Sequence, residues 1–128
     1  MDNIALKGEE LSGKVIGAAI EVHKNLGPGL LESIYEECLC YELDQIGLKY
    51  ERQRPLDIKY KEHNLTCGYR MDIVIEEEIL VELKSVETIS SLHEAQLLTY
   101  LKLSNIKVGL IINFNAPTLK KGIKRMVL

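Results

Sequence analysis

The hydrophobic period of this chain switches from helical to strand-like and back, and that limits what it can fold into. Before Gly47 the apolar residues recur at three- and four-residue spacing. Leu11, Val15, Ala18, Val22 and Leu26 mark a first helix over roughly Glu9 to Leu26. Gly27-Pro28-Gly29 breaks it, and a second helix runs from about Leu30 to Ile46, with Gly47 as its C′ residue. From Leu48 the period falls to two. Leu48 to Tyr60 is rich in strand formers, with Pro55 marking an edge or bend, and Lys61 to Asn64 reads as a turn. Leu65 to Ile75 alternates, with Leu65, Cys67, Tyr69, Met71, Ile73 and Ile75 on one face. Glu76-Glu77-Glu78 is a turn, and Ile79 to Val86 is the next strand. The pair Ser91 and Glu94 fits a capping box that starts a third helix reaching about Leu103. Val108 to Phe114 is a short apolar run expected of a strand buried on both faces. The tail after Pro117 fits helix or strand equally. The order α-α-β-β-β-α-β predicts an α/β (α+β) fold, a mixed sheet with helices packed on it.

A length of 128 residues suits a single domain over 1–128. With 46% hydrophobic and 27% charged residues, disordered, collagen-like and coiled-coil classes are excluded. No apolar run approaches the roughly 20 residues that span a bilayer, and Met1 to Gly8 lacks the apolar core of a secretory signal. The net charge of −3 provides no global field for nucleic acid, so phosphate binding has to come from local patches. Cys38, Cys40 and Cys67 are odd in number and form no CxxC, which predicts free thiols in a reducing cytoplasm. An iron–sulfur cluster normally takes four thiolates.

Asp72 and Glu82 carry the chemistry. Matching the apolar faces of their two strands requires odd positions to pair with odd and even with even. The simplest such register places the loop at Glu76 to Glu78, pairs Ile75 with Ile79 and sets Asp72 directly across from Glu82. Like charges so opposed are destabilising, and a divalent cation removes the repulsion. Lys84 points to the same face. The competing interpretation is an exposed sheet face with solvated charges and a Glu82–Lys84 surface pair. Two features favour a site. Glu32 heads the helical stripe Tyr35, Leu39, Leu43, Ile46, in the first turn of its helix. Gln96 and Tyr100 share a face of the third helix with His93 one turn earlier. Of the remaining ionisable groups, His23 is expected at the C-terminus of its helix, His63 in a solvated turn and Cys67 in the core.

Asp72 followed by Glu82-Leu83-Lys84 resembles the D…E-x-K signature of the PD-(D/E)XK nuclease superfamily, with Met71 where the signature often has Pro. Glu32 on a preceding helix and Gln96…Tyr100 on the following one resemble its RecB-like branch. Gly29-x-x-Glu32-x-x-Tyr35 is similar to the motif of the GxxExxY proteins, a small bacterial group in that superfamily. The resemblance runs from about Val15 to the C-terminus and takes in His93 to Gln96 and Gly122 to Arg125.

The resemblance implies a restriction-endonuclease-like α-β-β-β-α-β core and an Mg²⁺ (or Mn²⁺) site. In it Asp72 and Glu82 ligate the metal, with the Leu83 carbonyl as a further ligand, and Glu32 holds the metal or its water. Lys84 would position or deprotonate the attacking water and stabilise developing charge, while Gln96 and Tyr100 orient the substrate strand. The implied substrate is nucleic acid, DNA ahead of RNA, gripped by Lys120, Lys121, Lys124, Arg125 and Arg70. One alternative is a catalytically silent module that binds nucleic acid or a protein partner. Its basic groups would be Lys49, Arg52, Arg54, Lys59 and Lys61 together with Lys120 to Arg125. A homodimer or other partner supplying DNA affinity is a further alternative.

Overall fold

The computed structural model describes residues 4–66 and 68–128, with side chains from Gly8 onward. The expected placement of Cys67 in the core lies outside the described residues. Among the described residues, three helices, α1 (Ile4–Leu26), α2 (Glu32–Gln45) and α3 (Ser91–Ser104), accompany seven strands. The strands are β1 (Tyr50–Pro55), β2 (Ile58–Tyr60), β3 (His63–Leu65), β4 (Arg70–Ile75), β5 (Ile79–Lys84), β6 (Val108–Asn113) and β7 (Ile123–Val127). Five of them form a mixed sheet in the order β1-β4-β5-β6-β7, and β2 and β3 make a separate hairpin. Among the described residues only β5 and β6 pair in parallel, and α3 is the crossover such a pair requires. This is an α+β arrangement consistent with a restriction-endonuclease-like fold.

The two faces of the sheet are buried differently. On one face α1 and α2 pack Val15, Ala19, Tyr35, Leu39 and Leu43 onto Ile73, Ile75, Val81, Leu110 and Ile112. On the other, α3 packs Leu97, Tyr100 and Leu101 onto Val74, Leu80 and Ile111. All six residues of β6 are buried, as expected of a strand covered on both sides.

Several boundaries move. The expected strand over residues 48–60 is two strands, β1 and β2, and Pro55 closes β1 at the sheet edge, where its missing N–H costs no ladder bond. His63 and Asn64 belong to β3, so the turn narrows to Lys61 and Glu62. β4 starts only at Arg70. Its alternation also breaks: odd-numbered Met71 packs with the even-face residues Val74 and Leu80. Leu26 and Ile46, placed on apolar stripes, are exposed at the C-terminal ends of α1 and α2. The cap of α3 is Ser90, not Ser91: its hydroxyl accepts from His93 N–H at 3.2 Å. The undecided tail is a 3-10 turn (Leu119–Gly122) followed by β7. Gly122 is obligatory there, because a Cβ would fall 2.3 Å from the Asn113 carbonyl oxygen.

Candidate active site

The ladder between β4 and β5 creates the site by stopping. Ile75 faces Ile79, Val74 faces Leu80 and Ile73 faces Val81, the register expected from side-chain parity. The connecting turn has no glycine, and Glu76 and Glu77 take left-handed φ angles of 53° and 55° to close it. Beyond Val81 the carboxylates take over the ladder's hydrogen bonds. Asp72 N–H donates to Glu82 Oε2 at 2.8 Å, and Leu83 N–H donates to Asp72 Oδ2 at 2.8 Å. Each acid thus seizes an amide on the opposite strand, and the two side chains converge where the strands part.

The electrostatics follow from this geometry. Glu82 is only 7% exposed, so the solvated-face interpretation with a Glu82–Lys84 surface pair is overturned. Burial and then the Asp72 charge push Glu82 from the usual 4.5 up to about 8, while the Asp72 amide and Lys84 oppose the rise. Asp72 is also raised, chiefly by burial, with Glu36 adding to the effect. Lys84, two residues past Glu82, is half-buried, and its charge favours the ionised form of both acids. Its backbone is fixed by Phe114 N–H donating to its carbonyl at 3.0 Å. Tyr100 is nearly buried, and its hydroxyl accepts from Gln96 Nε2 at 3.1 Å. Desolvation and the nearby Glu82 charge raise its pKa, which keeps the phenol protonated. Asp72, Glu82, Lys84, Gln96 and Tyr100 therefore lie within electrostatic or hydrogen-bonding reach of one another.

Glu32 stands apart as the exposed first residue of α2, accepting from Ser85 N–H at 3.3 Å. Its charge still adds to the rise of Glu82. The expected trio of metal carboxylates is not formed. Among the described residues no group of three or more His, Cys, Asp or Glu side chains gathers around one point. The pair of Asp72 and Glu82 nonetheless fits a hard dication. Both are oxygen donors, they repel each other in a buried setting, and Glu82 Oε1 accepts no protein hydrogen bond among the described residues. Magnesium sites commonly use one or two carboxylates and leave the remaining positions to water and phosphate.

Two further residues of the site carried little legible signal in the sequence. Glu36, one turn after Glu32, is 7% exposed and accepts from Arg52 Nη2 at 3.0 Å and Gln53 Nε2 at 2.7 Å. Gln53 sits mid-strand in β1 with a left-handed φ of 50° and also reaches Asp72 Oδ1 at 3.4 Å. Backbone strain of this kind commonly collects at functional sites. The only hint was an acidic residue on an otherwise apolar helix face. Asn113 is similarly hidden in an apolar run, yet its side chain bonds both the N–H and the carbonyl of Val86, fixing the loop after β5.

Other expected residues have different roles. His93 does not join the site, because its Nδ1 accepts from Ser90 N–H in the capping box. His23 Nε2 lies 2.9 Å from the Ala116 carbonyl oxygen, tying α1 to the loop after β6 and not to its own helix end. Tyr35 is structural: its hydroxyl donates to the Gly27 carbonyl at 2.6 Å and accepts from Leu30 N–H at 3.1 Å. Its ring stacks on Phe114 with centroids 4.3 Å apart.

Among the described residues, the basic side chains expected to grip nucleic acid lie on separate elements. Lys120 and Lys121 are exposed in the 3-10 turn, at the end of the sheet that holds Glu82 and Lys84. Lys124 is exposed further along β7. Arg125 is half-buried, and its Nε donates to Ser12 Oγ at 3.2 Å, which ties β7 to α1. Arg70 is exposed at the start of β4 and donates to the Gln53 carbonyl at 3.1 Å. Arg52 is paired with Glu36 and Glu37, and Arg54 with Glu51 and Glu77, so neither is an open phosphate contact. Cys38 and Cys40 are free thiols, and burial pushes Cys40 up to about 12. No helix among the described residues is long and apolar enough to cross a membrane.

No curated protein and no solved structure matches the chain. A family model described as the PD-(D/E)XK nuclease superfamily matches residues 9–126, which takes in both strands of the acidic pair and the helices on either side. The chain belongs to the PD-(D/E)XK nuclease superfamily.

Proposed function

We propose that this protein is a divalent-metal-dependent nuclease that hydrolyses phosphodiester bonds, with DNA as the preferred substrate over RNA. The observation that carries the reading is the convergence of Asp72 and Glu82 at the point where β4 and β5 part, with Lys84 beside them. Asp72 and Glu82 would hold Mg²⁺ or Mn²⁺. A cation bound there supplies Lewis acidity at the phosphate and makes water more acidic.

The chain's own groups do the rest. The positively charged Lys84 aligns the attacking water and offsets charge developing on the phosphate, while the water's proton passes to solvent. Tyr100 accepts the Gln96 amide and so keeps its own O–H free to donate to a substrate oxygen. Its raised pKa keeps that proton in place. Glu32 stands at the rim, where it bonds the Ser85 amide and adds to the negative field around Glu82. Lys120, Lys121, Lys124 and Arg70 supply local positive charge for the nucleic-acid backbone. Membership of the GxxExxY group rests on Gly29, Glu32 and Tyr35, and a reducing cytoplasm suits the free thiols.

Purified protein is expected to nick or degrade DNA with Mg²⁺ or Mn²⁺ and not in EDTA. Lys84→Ala should lower the rate at least ~100-fold, the scale of a lost charge-stabilising group. An unchanged rate in that variant rejects the assignment. A second reading, a silent nuclease-fold module, is favoured by the net charge of −3 and by the pairing of Arg52 and Arg54. Titration calorimetry separates the two, because absence of Mg²⁺ binding at millimolar concentration supports the silent module.

A further inference from the structure

We propose that Tyr69 forms a base-stacking subsite that holds an unpaired nucleobase of a single-stranded nucleic acid, next to the acidic pair. The position of the adjoining phosphate rests on the nuclease reading above; the stacking of the base does not.

Tyr69 is 50% exposed, although it stands immediately before β4, a strand that is otherwise largely buried. Its backbone is pinned, since its carbonyl accepts from Leu56 N–H at 2.9 Å. Its ring meets Tyr100 edge-on, with centroids 6.2 Å apart and planes at 65°. Tyr100 in turn lies close enough to Glu82 and Asp72 to feel both charges. Two residues, Arg70 and Met71, separate Tyr69 from Asp72, three steps of extended chain or a reach on the order of 10 Å. A base on Tyr69 would therefore lie near the acidic pair.

Positive charge accompanies the ring. Arg70 follows it directly, and only its Nη1 is bonded within the protein among the described residues, to the Gln53 carbonyl. The β2–β3 hairpin leaves the sheet between Pro55 and Arg70, at the end that holds Asp72. It carries exposed Lys59, Tyr60 and Lys61, with the Lys61 ammonium 5.4 Å from the Tyr60 ring centroid. One exposed tyrosine would mean little. Here a ring on a pinned backbone, a largely free guanidinium and an aromatic, lysine-bearing arm occur at the end of the sheet that holds Asp72.

The same surface disfavours a duplex. Duplex affinity depends mainly on neutralising many phosphates, and this chain carries a net −3 with Arg52 and Arg54 already paired. Stacking draws on the π-face of a base, which a single strand offers and a duplex conceals.

Fluorescence anisotropy with a short fluorescein-labelled oligothymidine, and with the same strand annealed to oligoadenosine, tests the proposal in EDTA. The single strand should bind at least ~10-fold more tightly than the duplex. Tyr69→Ala should weaken it by about 5- to 100-fold, and Tyr69→Phe should stay within about twofold of the parent. Equal affinity for the two probes, no loss in Tyr69→Ala, or a loss in Tyr69→Phe as large as in Tyr69→Ala each overturns it. Circular dichroism of the variants shows that the fold is retained. Cleavage with Mg²⁺ or Mn²⁺ is scored separately. Tyr69-dependent binding without cleavage by the parent protein rejects the nuclease reading and leaves the subsite standing. Cleavage with Tyr69-independent binding does the reverse.

Discussion

Glu82 ionises against two opposing effects, burial and the charge of Asp72, and both act only in the folded chain. A carboxyl whose folded pKa exceeds its unfolded value binds more protons when folded. Its contribution to stability is therefore greatest below pH 4.5 and is lost as pH rises toward about 8. In metal-free buffer, Glu82→Gln should raise stability by roughly 1–3 kcal/mol at about pH 9, and the gain should vanish near pH 4. Thermal melts across pH check this, and a gain independent of pH would contradict it. The same variant should lose Mg²⁺ affinity. Gln53 and Glu36 form the other arm of the site. Gln53→Ala removes the amide that links Glu36 to Asp72, so the rate should fall about tenfold with little change in melting temperature. Steady-state kinetics beside a thermal melt would separate these effects, and a large drop in melting temperature would make Gln53 a structural residue instead.

Elements were legible where local chemistry sets them. The spacing of Leu11, Val15, Ala18 and Val22 gave α1, and Gly47, with a φ of 76°, ends α2 as its C′ residue. Loop length and parity gave the β4–β5 register even though the turn lacks glycine. Element ends were less legible, because competing local partners decide them. Ser90 and Ser91 offer the same hydroxyl, but Ser90 is the one with His93 at N3 to return a bond to its backbone. Ser90→Ala should therefore cost about 1 kcal/mol, and Ser91→Ala close to nothing. Chemical denaturation of both variants checks the assignment. The clean alternation expected through Met71 failed because β4 leaves its ladder partner at Asp72, and no local pattern encodes where two strands part.

At the scale of the whole molecule, the basic residues of the tail divide by destination. Lys120 and Lys121 face solvent at the site end of the sheet, whereas Arg125 turns inward to Ser12. Replacing Lys120 and Lys121 together by Ala should weaken nucleic-acid binding several-fold, reduce its salt dependence and leave the melting temperature unchanged. Arg125→Ala should do the opposite, lowering stability by about 1 kcal/mol with binding unaffected. Filter binding at two salt concentrations, together with thermal melts, distinguishes the two cases.

The sequence alone determined the order of the three helices, the two-sided burial of β6 and the pairing of Ile75 with Ile79, which leads residues 72 and 82 to the point where the strands part. Each of these follows from side-chain period and turn length, which are properties of neighbouring residues. Only the tertiary structure decided that the two acids take each other's strand amides, that Glu36 and Gln53 support Asp72, that Glu32 stays at the rim and that Arg125 bonds Ser12 of α1. Those outcomes depend on contacts between residues many positions apart, where burial and the competition for hydrogen-bond partners choose among side chains that look alike in the sequence.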